Sequence, residues 1–194
     1  MRPRSPDSRL EAVVIGGSAG AVEALESLLP ALPREFPAAL FIVLHLPRDR
    51  PSMLAEIFAA KCALPVEEAE DKAPVRPGTV CFAPPDYHLL IEPGRRVALS
   101  VDEPVNLSRP SIDVLFESAA DAYGASLMGI ILSGASADGA AGLAAVSAAG
   151  GLTVVQEPAS AAAPLMIKSA LERCAVDYVL PLGQIAALLR GIGT

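Results

Sequence analysis

The sequence predicts an α/β domain of the doubly wound type, built on a mostly parallel sheet with an antiparallel hairpin inserted. Three observations predict it. Short runs rich in Val, Ile and Leu alternate with amphipathic stretches from end to end. Those runs lack polar alternation, as strands covered on both faces do. The first run ends in a glycine-rich turn that leads directly into a helical pattern. At 194 residues, the chain is sized for one domain that buries most of the apolar surface exposed in its unfolded form.

Each element follows from local pattern. Residues 1–10 are polar and contain arginine and proline, and are expected as a flexible segment ahead of one folded unit over residues 11–194. They lack the apolar core of a secretory signal, so export is not expected and the cytoplasm is. Residues 12–16 read as the first strand. Val22, Leu25, Leu28, Leu29 and Leu32 then share one face of a helix that stops at Pro33. A second strand is expected at 39–45. Residues 65–70, 79–83 and 88–102 read as short strands forming an antiparallel insertion or edge, the last folded into a hairpin at Pro93-Gly94.

Ile112, Leu115, Phe116, Ala119, Ala120 and Tyr123 recur at helical spacing over 111–123, with Asp113 in the first turn and Gly124 as the stop. A strand follows at 127–133. The stretch 139–155 is uncharged, but it is rich in Ala and Gly and is interrupted by Gly150-Gly151. A membrane span needs about 20 strongly apolar residues. The stretch therefore reads as a helix over 139–149 and a strand over 152–156, with no direct membrane insertion. Ala-rich residues 159–164 are expected as a mobile loop, and 178–180 as a last strand.

Composition narrows the function classes. The net charge is −7 and no Lys/Arg cluster appears, which argues against nucleic-acid binding. Cys62, Cys81 and Cys174 show no paired spacing, and with only two histidines no zinc-ligand pattern exists, so no metal is expected. Unpaired thiols fit a reducing compartment.

Gly16-Gly17-Ser18-Ala19-Gly20 is a G-x-S-x-G pentapeptide between a strand and a helix, the setting that presents a nucleophilic serine. Such turns also bind nucleotide phosphates or simply connect elements. The dinucleotide fingerprint does not fit, because Ser18 occupies the place of its second glycine, and no phosphate-loop pattern is present. Parallel sheets bind ligands outside the carboxyl ends of their strands. Polar residues that end strands are therefore the candidates: Ser18, His45 after residues 40–44, and Asp138 shortly after 127–133.

Serine is a poor nucleophile near neutral pH, so an imidazole must take its proton, and a carboxylate fixes the imidazole tautomer. His45 alone could equally be a core histidine, and Asp138 alone a helix N-cap for 139–149. His88 begins the hairpin and reads as structural. Arg48, Arg50 and Arg109 are candidate substrate-steering groups, although exposed arginines are often only solubilising.

Five segments carry a resemblance: Val13 through Gly20; Leu44-His45-Leu46-Pro47; Ala83-Pro84-Pro85-Asp86-Tyr87-His88; Arg109 through Phe116; and Leu132 through Ala140. Together they resemble the catalytic domain of the chemotaxis protein-glutamate methylesterases, over residues 10–190. The resemblance implies hydrolysis of glutamyl γ-methyl esters on chemoreceptors or receptor-like proteins, with related deamidation of glutamine, and no cofactor. It places nucleophile, base and aspartate at Ser18, His45 and Asp138, and oxyanion-binding backbone amides at Ala19 and Ala135.

The chain departs from the family at Ala21, Ala135, Ser136 and Ile167, where glycine, methionine, glycine and proline are usual. Only about ten residues precede the first strand, so the phosphorylatable receiver domain common in relatives is not expected to regulate this chain. A partner-binding module with a relic triad and an esterase for small molecules are the alternative readings.

Overall fold

The computed structural model describes residues 10–47 and 50–193. The residue 1–9 segment and Arg48 lie outside the described residues. Seven strands form one parallel sheet: β1 (Ala12–Gly17), β2 (Ala39–Leu44), β3 (Val66–Glu68), β4 (Val80–Phe82), β7 (Leu127–Ile131), β8 (Leu152–Gln156) and β9 (Tyr178–Leu180). Their order is β3-β4-β2-β1-β7-β8-β9, with every pairing parallel. A separate antiparallel hairpin joins β5 (His88–Glu92) to β6 (Arg96–Ser100). The fold class expected from the sequence is therefore the observed one.

Residues 65–70 and 79–83 correct the expectation of an antiparallel insertion. They enter the main sheet as the parallel strands β3 and β4. The reason is α2 (Leu54–Ala59), a short helix the periodicity did not reveal. It carries the chain back across the sheet, so the next strand runs in the same direction as β2. The remaining helices are α1 (Ala21–Leu28), α3 (Ile112–Tyr123), α4 (Ala140–Ala148), α5 (Leu165–Arg173) and α6 (Leu182–Arg190). Among the described residues no helix is long and apolar enough to cross a membrane.

The central strands bury both faces, and consecutive residues serve opposite cores. Val13, Ile15, Leu40 and Ile42 pack with residues of α1, α2 and α6, including Leu25, Phe58 and Ile185. Val14, Phe41, Val43 and Ile131 pack on the other face with residues of α3, α4 and α5 and of the hairpin, including Phe116, Leu143, Ile167 and Leu89. Because β2 lies on one side of β1 and β7 on the other, the strand order reverses beside β1. That is where a crevice opens at the carboxyl end of such a sheet.

The α3 helix crosses this crevice at close range. A Cβ built on Gly16 would lie 2.3 Å from Ile112 Cγ2, so glycine is what lets the first turn of α3 ride over β1. Gly16→Ala is expected to displace that turn, to cost about 1–3 kcal/mol by overpacking, and to lower turnover. Urea unfolding and ester hydrolysis measured on the same variant check this, and an unchanged unfolding midpoint refutes it.

Candidate active site

Ser18 follows the last residue of β1 and is half-buried, with Ala19 exposed beside it. The turn is strapped to neighbouring strand ends. The Ser18 amide donates to Ser133 O at 2.9 Å. The Ser133 hydroxyl donates to Ala19 O at 2.7 Å and accepts from the Ala163 amide at 2.9 Å. The Ser133 amide donates to Gln156 Oε1 at 3.0 Å, and Gln156 Nε2 donates to Ser160 O at 3.2 Å. Gly20 closes the turn at φ 80 as the N-cap of α1, a left-handed conformation natural to glycine.

Residues 159–164, expected as a mobile loop, are instead tied to this turn. The Gly134 amide donates to Ala163 O at 2.8 Å, in addition to the Ala163–Ser133 bond. The polar groups at the end of β7 find their partners there. The departures from the family lie close by. Met166 and Ile167 are both buried in α5. Ala135 is exposed, and Ser136 Oγ is buried with no hydrogen-bond partner among the described residues.

His45 follows β2. Leu44 pairs with Gly17 in register, and the His45 amide donates to Gly17 O at 3.2 Å, so His45 and Ser18 occupy adjacent strand ends. The imidazole Nε2 lies 2.9 Å from Asp138 Oδ2, with the histidine side chain 14% exposed and the aspartate fully buried. His45 and Asp138, distant in the chain, thus meet beside the strand end that carries Ser18. The structure brings imidazole and carboxylate into direct contact. Among the described residues no hydrogen bond joins the Ser18 hydroxyl to the ring, a contact that often tightens only with substrate present.

Asp138 is not the cap of its own helix. The cap position of α4 is Gly139, and no side-chain bond is made there. Its carboxylate faces the N-terminus of α3 instead. Oδ2 accepts from the Ile112 amide at 2.6 Å as well as from His45. Oδ1 accepts from the Ser111 hydroxyl at 2.8 Å, Asn106 Nδ2 at 2.8 Å and the Asp113 amide at 3.3 Å. The positive end of the helix dipole adds to these donors.

Burial pushes the Asp138 carboxyl up, but donation from His45, Asn106, Ile112 and Ser111 outweighs it and holds the group below its ordinary value. Asp113 goes the other way. Burial, reinforced by the nearby Asp138 charge, raises it despite donation from the Gly142 amide and Asn106. Because an ionised Asp138 can only accept, Nε2 of His45 carries the hydrogen, and Nδ1 of the neutral ring keeps its lone pair.

His88 is a satisfied core histidine. It accepts the Ser111 amide at Nδ1 (3.2 Å) and contacts Glu103 O through Nε2 (3.2 Å). Arg109 lines a hollow of about 110 Å³ with His45, Leu46, Leu107, Ser108 and Pro110. Its guanidinium is already engaged, donating to Asp86 Oδ1 at 3.0 and 2.8 Å and to the Val101 and Asp102 carbonyls at 2.7 and 3.1 Å. Arg50 is exposed and borders a neighbouring groove with Leu46, Met53 and Ile57. Among the described residues no group of three or more His, Cys, Asp or Glu is arranged to hold a metal ion.

Asn106 carries no sequence signal that marks it as a site residue; Ser133 and Gln156 each close an expected strand, the signal that also marks Ser18 and His45, but were not among the candidates. Ser111 opens α3 as its N-cap residue, yet its hydroxyl serves Asp138 and not its own helix amides.

Comparison with known proteins agrees with the fold. The CheB methylesterase family model matches residues 13–189. A curated relative from Leptospira interrogans is 47% identical over 178 residues, 92% of each chain. One from Bordetella parapertussis, named protein-glutamate methylesterase/protein-glutamine glutaminase, is 41% identical over 193 residues, covering 96% of this chain and 54% of its own. The crystal structure of the Thermotoga maritima CheB methylesterase catalytic domain superimposes with a TM-score of 0.89 at 34% identity, covering 93% of this chain and 97% of that one.

Proposed function

This chain belongs to the CheB methylesterase family, and from that premise we propose that it is a serine hydrolase removing methyl esters from glutamate side chains of a chemoreceptor or receptor-like signalling protein in the cytoplasm. Glutamine deamidation is the related activity, with ammonia in place of methanol as the leaving group. The observation that carries the reading is the His45–Asp138 contact of 2.9 Å at the strand end beside Ser18.

Ser18 Oγ attacks the ester carbonyl while His45 Nδ1 takes its proton, and Asp138 stabilises the resulting imidazolium through Nε2. The backbone amides of Ala19 and Ala135 receive the oxyanion, a role that survives replacement of the side chains because the donor is main chain. The imidazolium returns its proton to the departing methoxide. Water activated by the same ring then hydrolyses the acyl-serine, restoring Ser18 and freeing the glutamate.

Arg109 serves the site by holding the wall of the hollow in place through Asp86, while Arg50, beside the neighbouring groove, supplies positive charge for an acidic receptor segment. A fluorophosphonate probe tests the assignment. The expected result is labelling at Ser18 that disappears in His45→Ala, accompanied by methanol release from methylated receptor. Labelling that persists undiminished in His45→Ala, or a receptor that keeps all its methyl groups, overturns it.

A further inference from the structure

Asn106 occupies the tip of a tight turn closed on both sides, where the Val105 amide donates to Ser108 O at 3.1 Å and the Ser108 amide donates to Val105 O at 2.9 Å. Its backbone has φ 51, a left-handed conformation that asparagine tolerates better than most residues. From there Nδ2 reaches both buried carboxylates, Asp138 Oδ1 at 2.8 Å and Asp113 Oδ2 at 2.7 Å. A carboxamide has two N–H bonds at a fixed angle in one plane. With one hydrogen on each aspartate, that angle sets the orientation of one carboxylate relative to the other.

Asp113 is itself anchored, because its Oδ1 also accepts the Gly142 amide of α4 at 2.6 Å. The next residue of the turn, Leu107, is 94% exposed and edges the hollow in front of His45. One side of the turn therefore meets the carboxylate that bonds His45, and the other meets whatever enters the hollow.

We infer that Asn106 is a positioning residue: it holds Asp138 with Oδ2 turned towards His45 and so couples the 105–108 turn at the mouth of the hollow to the orientation of the base. The inference rests on the proposed roles of His45 and Asp138. An amide suits the task because it donates to two anions without adding a charge. It also separates two carboxylates, of which Asp113 has its proton affinity raised by burial first and by the Asp138 charge second.

Two substitutions test it. Asn106→Gly keeps the left-handed backbone and removes both donors. Asn106→Asp keeps the shape but places a third carboxyl among the first two, so that it donates only while protonated. For Asn106→Gly, kcat for ester hydrolysis is expected to fall about 10–100-fold with KM within about threefold. The ring N–H proton resonance of His45, identified by its loss in His45→Ala, is expected to move. Asn106→Asp is expected to lose activity and shift the same resonance as pH rises and the installed carboxyl ionises and stops donating.

Wild-type kcat in Asn106→Gly, or an unmoved His45 resonance in either variant, overturns the inference even if thermal stability drops. If Asn106→Gly does not fold, Asn106→Asp carries both readouts. Hydrolysis that survives Ser18→Ala would sink the esterase reading, while the resonance would still report on Asn106.

Discussion

Ser18→Ala is expected to lower kcat for methyl-ester hydrolysis on the order of 10⁵–10⁶-fold while leaving KM within about twofold. The size follows from the role: without the hydroxyl no acyl-serine forms, and only the oxyanion donors and substrate binding remain to assist water. Stability should hardly change. Ser18 is half-buried, its amide bond to Ser133 O does not involve the side chain, and its hydroxyl makes no hydrogen bond among the described residues. Removing it exposes no buried orphan, so the unfolding free energy should stay within about 0.5 kcal/mol. Methanol release and thermal unfolding, measured together, separate a lost nucleophile from a lost fold. Turnover above about one part in a hundred of wild type would show that another group attacks.

What the sequence made legible was whatever depends on continuous burial or on a strand end. Val13 to Ile15, residues 40–44 and residues 127–131 are covered on both faces, so their apolar runs have no polar interruption and their helices repeat at 3.6 residues. Ser18 and His45 follow directly on the first two of those strands, and Asp138 follows the third after a short turn. Chain direction in the middle was not legible. It depends on α2, a six-residue helix with only Leu54 and Phe58 buried, too short to establish a period.

The support around Asp138 was hidden for a different reason. Its carboxylate looks like a cap for the helix that follows it in sequence, whereas packing across Gly16 delivers the N-terminus of α3 from another part of the chain. Which of two competing amide sets a buried acid accepts from is decided by tertiary packing, and neither propensity nor spacing encodes it. Asn106 is an extreme case, a turn residue whose donors find their acceptors only after three elements have docked.

Asp138→Asn is expected to damage both chemistry and stability, because no orientation of the new amide satisfies the site. If the NH₂ takes the place of Oδ1, it faces the Asn106 and Asp113 donors, and only the Ser111 hydroxyl can turn to accept from it. If it takes the place of Oδ2, it opposes the Ile112 amide, which lies 2.6 Å from that oxygen. His45 could then pair with it only as the other tautomer, with the hydrogen moved to Nδ1 and the base lost. Either way the imidazolium loses its counter-charge, and kcat should fall about 10⁴-fold. A buried donor left facing a donor costs about 1–3 kcal/mol.

The pH dependence gives the sign. Asp138 is held below its ordinary value in the folded state, so the stability it contributes is present above the ordinary carboxylate range and is lost as pH falls through its depressed folded value. Asp113, raised in the fold, has the opposite slope: the native state binds the extra proton, and stability falls as pH rises from the ordinary value to the raised one. Substituting Asp138 removes a charge that contributes to that rise, which trims the stability difference from wild type near neutral pH. Burial is the larger cause of the Asp113 shift and persists in the variant, so the Asp138 slope sets the sign. The stability gap between wild type and Asp138→Asn should therefore be wide near about pH 7 and narrow near about pH 3. Urea midpoints at the two pH values measure it, and a gap that stays constant or widens in acid would mean that the buried carboxylate is not the stabilised anion its five donors imply.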